Sequence, residues 1–460
     1  MKKFYLGILL LFIVNISSIA QNIEVAEFYG TMDVMSVPLQ RKDSNGNICA
    51  LVRISMPNAK IDFDSESIVG AVDYDTNEFL LYLKPGSTGF KMKLNNDTEY
   101  IIDFKDFDIS SVEAKKIYFM KINSDLEGIA LSNYAKGMQY SNQQDYIKAL
   151  PYVRISAELG YAPAQNTLGA YYARGYAVPQ DVNKAIEWYL KAAKQNDATS
   201  FYNLAHLYFE GKLVEQDYKE AFKWYLKAAE LGDAESQCKV GYFYRKGLGT
   251  EVNYAEAVDW YTKAALQGDP IAQSNLANCY MRGEGVEVDL VKTYEWYKKS
   301  AESGYAYAQA MLGLCYNEGV GVTKNFEEAY KWFLLAADQN EPDAIINLGI
   351  YYENGIYVKQ DLKKAFELYL KAAGLDSLYG FFNVGICYAN GRGVDADYSK
   401  AFVYFEKAAS LGYDMAQLNL AIFYENGYGT EKNIVKAKYW YGQAASQGNE
   451  QAKQALKKMQ

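Results

Sequence analysis

His206 is the only histidine in a chain of 460 residues. A histidine that works as an acid–base group or a metal ligand needs a nucleophile or further ligands within reach. The positions that recur with it at 36-residue steps hold Ala170, Tyr242, Asn278, Leu314 and Ile350. No constellation gathers there, so His206 reads as an ordinary lining residue. The five cysteines are Cys49, Cys238, Cys279, Cys315 and Cys387. Three of them share a recurring position with Tyr171, Leu207, Phe243, Tyr351 and Phe423, which is an apolar packing position, so the thiols read as small buried hydrophobes. Equivalent positions on packed helices lie about 10 Å apart, whereas a disulfide needs Cα atoms within about 7 Å. No intramolecular disulfide is expected. A column of acids and amides, Asp181, Asp217, Asn253, Asp289, Asn325, Asp361, Asp397 and Asn433, has the look of a carboxylate or metal array. One such residue per 36, with Asn replacing Asp freely, fits helix capping instead. The pairs Gly247/Gly249, Gly283/Gly285, Gly319/Gly321, Gly391/Gly393 and Gly427/Gly429 lack the preceding strand and third glycine of a dinucleotide loop. A serine–lysine pair is the hydrolytic arrangement that the sequence leaves open.

The elements that carry these residues are set by one period. A tyrosine returns every 36 residues at Tyr172, Tyr208, Tyr244, Tyr280, Tyr316, Tyr352, Tyr388 and Tyr424, each followed three residues later by a glycine. A fixed period of this length marks a repeat array. Within one period, Ala164, Leu168, Gly169 and Tyr172 follow one helical face, and Ala185, Trp188, Tyr189, Ala192 and Ala193 follow another. Each repeat is therefore two helices and a turn. The Asp/Asn column caps the second helix, with Glu220, Glu256 and Glu328 placed as in a capping box. The second helix ends at Gly160, Asn196, Gly232, Gly268, Gly304, Asn340, Asp376, Gly412 and Gly448, residue types that tolerate a left-handed backbone. Pro163, Pro270 and Pro342 open first helices, where a missing N–H costs little. Trp188, Trp224, Trp260, Trp296, Trp332 and Trp440 are expected as the core, opposite small residues such as Ala193 and Ala229. Asn203, Asn275, Asn347, Asn383 and Asn419 read as a structural hydrogen-bonding column.

These columns together, A-Q-x-x-L-G-x-x-Y-x-x-G-x-G-V followed by the cap and K-A-x-x-W-Y-x-K-A-A, resemble the Sel-one-like repeat, a relative of the tetratricopeptide repeat. Residues 272–304 and 308–340 carry the pattern most fully. The resemblance covers 162–449 as eight repeats, with a degenerate earlier copy within 124–161 (Gly137, Tyr140, Asp145, Ala149 and Tyr152) and a capping helix at 450–460 that holds Ala452 and Leu456. It implies a right-handed α-solenoid that serves as a scaffold for protein complexes, binding a partner protein or peptide through its concave face, with no catalytic residues, metal or cofactor. Some exported relatives carry a cysteine pair in each repeat; this chain lacks them.

The chain opens MKKFYLGILLLFIVNISSIAQ, with two lysines, a short apolar run and small residues before Gln21. That reads as a signal peptide, residues 1–20, cleaved after Ala20, which places the protein in the periplasm of a Gram-negative bacterium or outside the cell. Residues 21–123 change to short strands (48–54, 67–74, 79–83, 90–94, 100–104 and 116–122) separated by turn residues such as Ser44–Asn47, Asp75–Asn77 and Lys84–Ser87. This predicts a small β-sandwich. Its Tyr82-Leu83-Lys84-Pro85-Gly86 stretch is similar to the PEGA and carboxypeptidase-regulatory-like domains of exported bacterial proteins. The fold class is thus an all-β sandwich followed by an all-α solenoid.

Net charge is −9, and no basic stripe occurs, which argues against a nucleic-acid partner. Two first-helix columns vary freely and turn apolar toward the C-terminus. Ile346, Ile350, Phe382, Ile386, Leu418 and Ile422 would form a continuous apolar strip for a peptide or protein, unless winding buries them between first helices. Two other readings belong to different classes. One is an envelope hydrolase acting on peptidoglycan or a β-lactam. The other is carbohydrate binding by the β-domain, with Tyr74 or Tyr82 as stacking platforms.

Overall fold

The computed structural model describes residues 24–33, 50–55, 62–64, 68–75, 78–83, 89–93, 99–103, 116–123 and 126–459. The chain divides into two compact units, Met1–Gln216 and Asp217–Gln460. The expected signal peptide, the tight turns at 44–47 and 84–87, and Cys49 lie outside the described residues.

In the first unit, β-branched and aromatic runs form two sheets. The strands are β1 (Glu24–Asp33), β2 (Ala50–Ser55), β3 (Asp62–Asp64), β4 (Ile68–Asp75), β5 (Glu78–Leu83), β6 (Gly89–Lys93), β7 (Glu99–Asp103) and β8 (Lys116–Asn123). One sheet has the order β1-β8-β2-β5-β4 and the other β3-β6-β7. Strands β2 and β8 pair in parallel, while β2 with β5 and β4 with β5 are antiparallel. Leu83 is fully buried and pairs across β5 with Ala50 and Ile68. Strands β1 and β3 have no clear sequence signal. The first is interrupted by register shifts next to Glu27 and Met32, which spoil its alternation, and the second is three residues long.

Five helices complete this unit, from Leu126–Asn142 to Ala198–Glu210. A helix pair occupies the span 124–161 expected for the degenerate copy. Its first helix starts at Leu126, and its second, Tyr146–Glu158, is capped by Asp145, whose side chain accepts from the Lys148 N–H. Tyr140 and Tyr152 stack between the two at 5.9 Å.

The second unit is an all-α array of helix pairs running from Tyr218–Glu230 to a last helix, Glu450–Lys458. Almost every helix here is 13 residues long, about three and a half turns, as in Pro270–Arg282 and Leu290–Glu302. The punctuation explains this regularity. Each predicted Asp or Asn, from Asp181 to Asn433, sits in extended backbone at a second-helix N-terminus and accepts a backbone N–H there. Every predicted stop residue from Gly160 to Gly448 has a positive φ, including Asn196, Asn340 and Asp376. The capping-box expectation holds only in half. Glu220 and Glu328 donate their backbone N–H to the cap, but their carboxylates turn outward to Lys223 and Lys331.

The core also differs in one respect from the expectation. The fully buried ladder is the position after the tryptophan column, in which Leu368 and Tyr404 replace tryptophan twice: Tyr225, Tyr261, Tyr297, Phe333, Tyr369 and Phe405. Apart from Trp260, the tryptophans are half-buried. At Trp188, Trp224, Trp260 and Trp296 a lysine three positions on lies over the indole, at 3.9 Å for Lys191 on Trp188 and 3.7 Å for Lys263 on Trp260. One step along a helix is a 100° turn, enough to move an adjacent aromatic from core to rim. The buried rings press against helical glycines in the first helix. A Cβ at Gly241 would stand 2.7 Å from Tyr261 Cδ1.

Candidate functional site

The columns that repeat most strictly are taken up by the fold. The carbonyl of the recurring tyrosine accepts the N–H of the cap residue, as between Asp289 and Tyr280 at 3.0 Å and Asn433 and Tyr424 at 2.7 Å. Its ring meets an aromatic of the preceding second helix, Phe366 with Tyr388 at 5.3 Å or Phe402 with Tyr424 at 5.2 Å. The hydroxyls of Tyr294 and Tyr316 bond at 2.9 Å. The cap carboxylates are equally committed. Asp289 and Asp397 are held below the usual carboxylate range, first by the N–H of Lys292 or Lys400 and then by the same lysine's ammonium. No cluster of three or more His, Cys, Asp or Glu side chains suited to a metal occurs among the described residues.

The Gly-x-Gly pairs have two separate tasks. The first glycine ends the first helix in left-handed backbone, as Gly283 does at φ 71°. The second, Gly285 at φ 75°, lies so close to the carbonyl of Tyr254 that a Cβ would fall far inside van der Waals contact. The loop of one repeat thus rests on the start of the preceding second helix.

His206 is about half exposed, stacks loosely on Tyr202 and lies 4.0 Å from Glu210. Cys238, Cys279, Cys315 and Cys387 are free and buried. Burial raises each thiol, Cys279 to about 11 and the other three to about 12.

The variable first-helix columns are where the repeats differ, and the apolar strip needs correction there. Ile346 and Leu418 belong to the core, at 7% and 4% exposure. Ile350, Phe382, Ile386 and Ile422 are half-buried and pack on that core. Phe382 in particular meets Phe405 at 5.9 Å and Tyr413 at 5.0 Å. The position of Ile346, Phe382 and Leu418 faces the next first helix, so winding does cover it. What remains accessible is the edge formed by the isoleucines together with the asparagines beside them.

The asparagine column divides in two. Asn203 Nδ2 donates to Asn166 Oδ1 at 2.8 Å and Asn275 Nδ2 to Cys238 Sγ at 3.8 Å, each reaching the preceding first helix. Asn347 and Asn419 instead donate to Asp343 O and Met415 O of their own helices.

A second polar array is not apparent from residue types alone. Gln195, Gln267, Gln339 and Gln447 follow the ends of second helices, and each Nε2 donates to a glycine carbonyl one repeat earlier and to a glutamine Oε1. For Gln267 these are Gly232 O at 3.0 Å and Gln237 Oε1 at 2.8 Å. Gln237 in turn donates to Ala229 O. Its one trace in the sequence is a glutamine 30 positions after another glutamine, present in some repeats only.

The Sel1 repeat family model matches eight successive segments: 162–197, 202–233, 234–269, 270–305, 306–341, 342–377, 382–413 and 414–449. Among solved structures, a Sel1 repeat protein from Oxalobacter formigenes is similar at 30% identity, over 68% of this chain and 91% of that one, with a TM-score of 0.54. A protective antigen present in uropathogenic Escherichia coli strains, displaying an SLR fold, is similar at 29% identity over 72% of this chain and 80% of that one, with a TM-score of 0.48. Helicobacter pylori cysteine rich protein B is 33% identical over 28% of this chain and 92% of that one, with a TM-score of 0.24. No curated protein matches the chain significantly.

Proposed function

The chain belongs to the Sel1 repeat family, and from that premise we propose that it is an exported scaffold that binds a partner protein or peptide through the first-helix face of its repeats. One observation carries the reading. The strictly repeated side chains are consumed by caps, turns and core, while one of the two variable first-helix columns, that of Ile350, Ile386 and Ile422, keeps an accessible edge that can discriminate a partner. Export rests on the opening lysines, the apolar run and the small residues before Gln21. Cleavage after Ala20 then releases the chain into the periplasm of a Gram-negative bacterium or beyond it. No helix among the described residues is long and apolar enough to cross a membrane. The strands of residues 24–123 form, on this reading, a small β-sandwich of the PEGA or carboxypeptidase-regulatory type that acts as an accessory module.

The test is crosslinking in intact cells with the full chain as bait, followed by mass spectrometry and cell fractionation. One envelope protein should be enriched, and its crosslinks should fall on first helices. Crosslinks confined to the outer second-helix residues, or a chain found in the cytosol with its first 20 residues intact, would overturn the reading.

A further inference from the structure

We propose that two copies of the chain associate through the outer face of the last second helix, Ile434–Ser446, in an antiparallel pair that sets Tyr439 of each copy on Gly442 of the other. This goes beyond the scaffold reading and does not depend on it, since no first-helix residue takes part. Val435, Tyr439, Gly442 and Ser446 stand at i, i+4, i+7 and i+11, one side of a helix. Val435 is 80% exposed, the most of any large apolar side chain among the described residues, and Tyr439 is 57% exposed.

Both central residues break the habit of their columns. The position of Tyr439 holds Glu187, Lys223, Asp259, Glu295, Lys331 and Glu367 in the first six repeats, as suits a helix face in water. The position of Gly442 holds leucine at Leu190, Leu334 and Leu370. A glycine inside a helix weakens it relative to alanine, so its place there needs a reason. Gly241, Gly313 and Gly385 each make room for a buried ring, Tyr261, Phe333 or Phe405. At Gly442 nothing lies within 4 Å of where a Cβ would stand. Its gap opens outward, beside the exposed ring of Tyr439, and no contact within the chain accounts for it.

The order of the four residues makes a second copy the occupant. In a twofold contact, residue i of one copy meets j of the other and j meets i. With the axis level with the peptide bond between Trp440 and Tyr441, position 439 faces 442 and position 435 faces 446. One axis thus sets a large side chain on a small one twice, Tyr439 on Gly442 and Val435 on Ser446, and the glycines let the backbones approach. Other registers lose this fit. An axis one turn nearer the N-terminus opposes Tyr439 to Val435, bulk against bulk. One turn nearer the C-terminus opposes Gly442 to Ser446 and leaves a void. On the flank, Lys438 comes opposite Gln443, whose carboxamide oxygen accepts from an ammonium, and Lys436 opposite Ala445, so neither lysine meets a cation.

The size of the contact sets its strength. The charged residues at the Tyr439 position upstream confine it to the end of the array, where Val403 alone shares the apolar character. Four residues a side fall short of a standard interface, so the dimer is weak, with a Kd of about 10–100 μM. Pairing leaves the first helices of both copies free, and a partner that carries two copies of its motif would bind the pair with avidity.

The experiment is sedimentation velocity of the full chain between about 1 and 200 μM, a range that brackets the weak dimer. Wild type should pass from monomer to dimer. Gly442→Leu, which restores the commonest residue of the column and a better helix former, should stay monomeric with a thermal midpoint at or above that of wild type. Tyr439→Glu, the residue type of Glu187, Glu295 and Glu367, should also stay monomeric. Register is read by crosslinking with a short bismaleimide, wild type serving as the blank, since Cys238, Cys279, Cys315 and Cys387 are buried. Val435→Cys mixed with Ser446→Cys should crosslink between copies. Neither variant should crosslink alone, because like positions stand about 16 Å apart along the helix. A wild type that remains monomeric throughout, a dimer that both Gly442→Leu and Tyr439→Glu leave intact, or crosslinks as strong within one cysteine variant as in the mixture would overturn the pairing.

Discussion

Arg245 donates through Nε to Glu284 Oε2 at 2.7 Å, and three repeats further on the same two positions hold the pair with its charges exchanged, Arg392 Nη1 donating to Glu353 Oε1 at 2.8 Å. Both pairs join the end of one first helix to the loop of the next repeat. This seam therefore accepts a bridge of either polarity, while other repeats close it without charge, as with Met281 and Val320 or Ala389 and Tyr428. Arg245 and Glu284 are 15% and 22% exposed, between the surface and the buried regimes. Arg245→Met should cost about 1–2 kcal/mol, and the exchanged pair R245E/E284R should recover most of it in urea denaturation. A double variant no better than the single would mean that the polarity is fixed locally.

The same pair gives a pH dependence. The hydrogen bond from Arg245 holds the Glu284 carboxyl below the usual range. A carboxyl depressed in the folded state stabilises above its unfolded value, about pH 4.3, and loses that contribution as pH falls through the folded value. The denaturation midpoint of wild type should thus exceed that of Glu284→Gln at pH 6, and the gap should close toward pH 3. A gap that stays constant with pH would rule out the ionised pair as its source.

Two glycines of equal backbone sign should respond very differently. Gly285 has φ +75° and the Tyr254 carbonyl against it, whereas Gly268 has φ +93° and nothing within 4 Å of where a Cβ would stand. Asn196 and Asn340 already occupy the Gly268 column at φ 60° and 62°. Gly268→Asn should cost less than about 1 kcal/mol, and Gly285→Asn about 3 kcal/mol or more, since backbone must move. Chemical denaturation of both variants decides it.

Local rules of this kind are legible in the sequence because each acts within a few residues. Asp289 caps its own helix, and Gly304 ends it, whatever lies next door. Statements about neighbours are the ones that fail. Trp296 and Tyr297 are adjacent, and which ring enters the core depends on the rotation of the second helix against the first. Ile346 and Ile350 look alike in sequence, but only the first is covered by the next repeat. The bond from Gln267 to Gly232, 35 residues away, needs the stacking geometry before either residue acquires a meaning. The asparagine column has a structural reading in the sequence, which holds for Asn203 and not for Asn383.

The buried ring column offers a test of its polar ends. Tyr297 OH donates to Asn278 Oδ1 at 2.9 Å, while the Tyr261 hydroxyl is buried with no hydrogen-bond partner. Tyr297→Phe strands a buried amide oxygen and should cost about 1–2 kcal/mol. Tyr261→Phe removes an unsatisfied group and should be neutral or slightly stabilising. Equal losses in thermal denaturation would show that the Tyr261 hydroxyl is bonded in solution.

The four buried thiols should be silent in the folded protein. Burial raises Cys238, Cys315 and Cys387 to about 12 and Cys279 to about 11, so almost no thiolate exists at pH 8, and the thiolate is the species that reacts. Iodoacetamide at pH 8 should leave all four unmodified in native buffer and alkylate all four in guanidinium, as read by peptide mass spectrometry. A thiol raised in the folded state stabilises fully below its unfolded value, about 8.5, and the contribution is lost as pH rises toward the folded value. Cys315→Ala should therefore show a shallower loss of stability than wild type between about pH 9 and 11, although it is the less stable protein at pH 7 because of the cavity left behind. Parallel alkaline slopes would place Cys315 in contact with water, and with it the first-helix packing column to which Cys279 and Cys387 also belong.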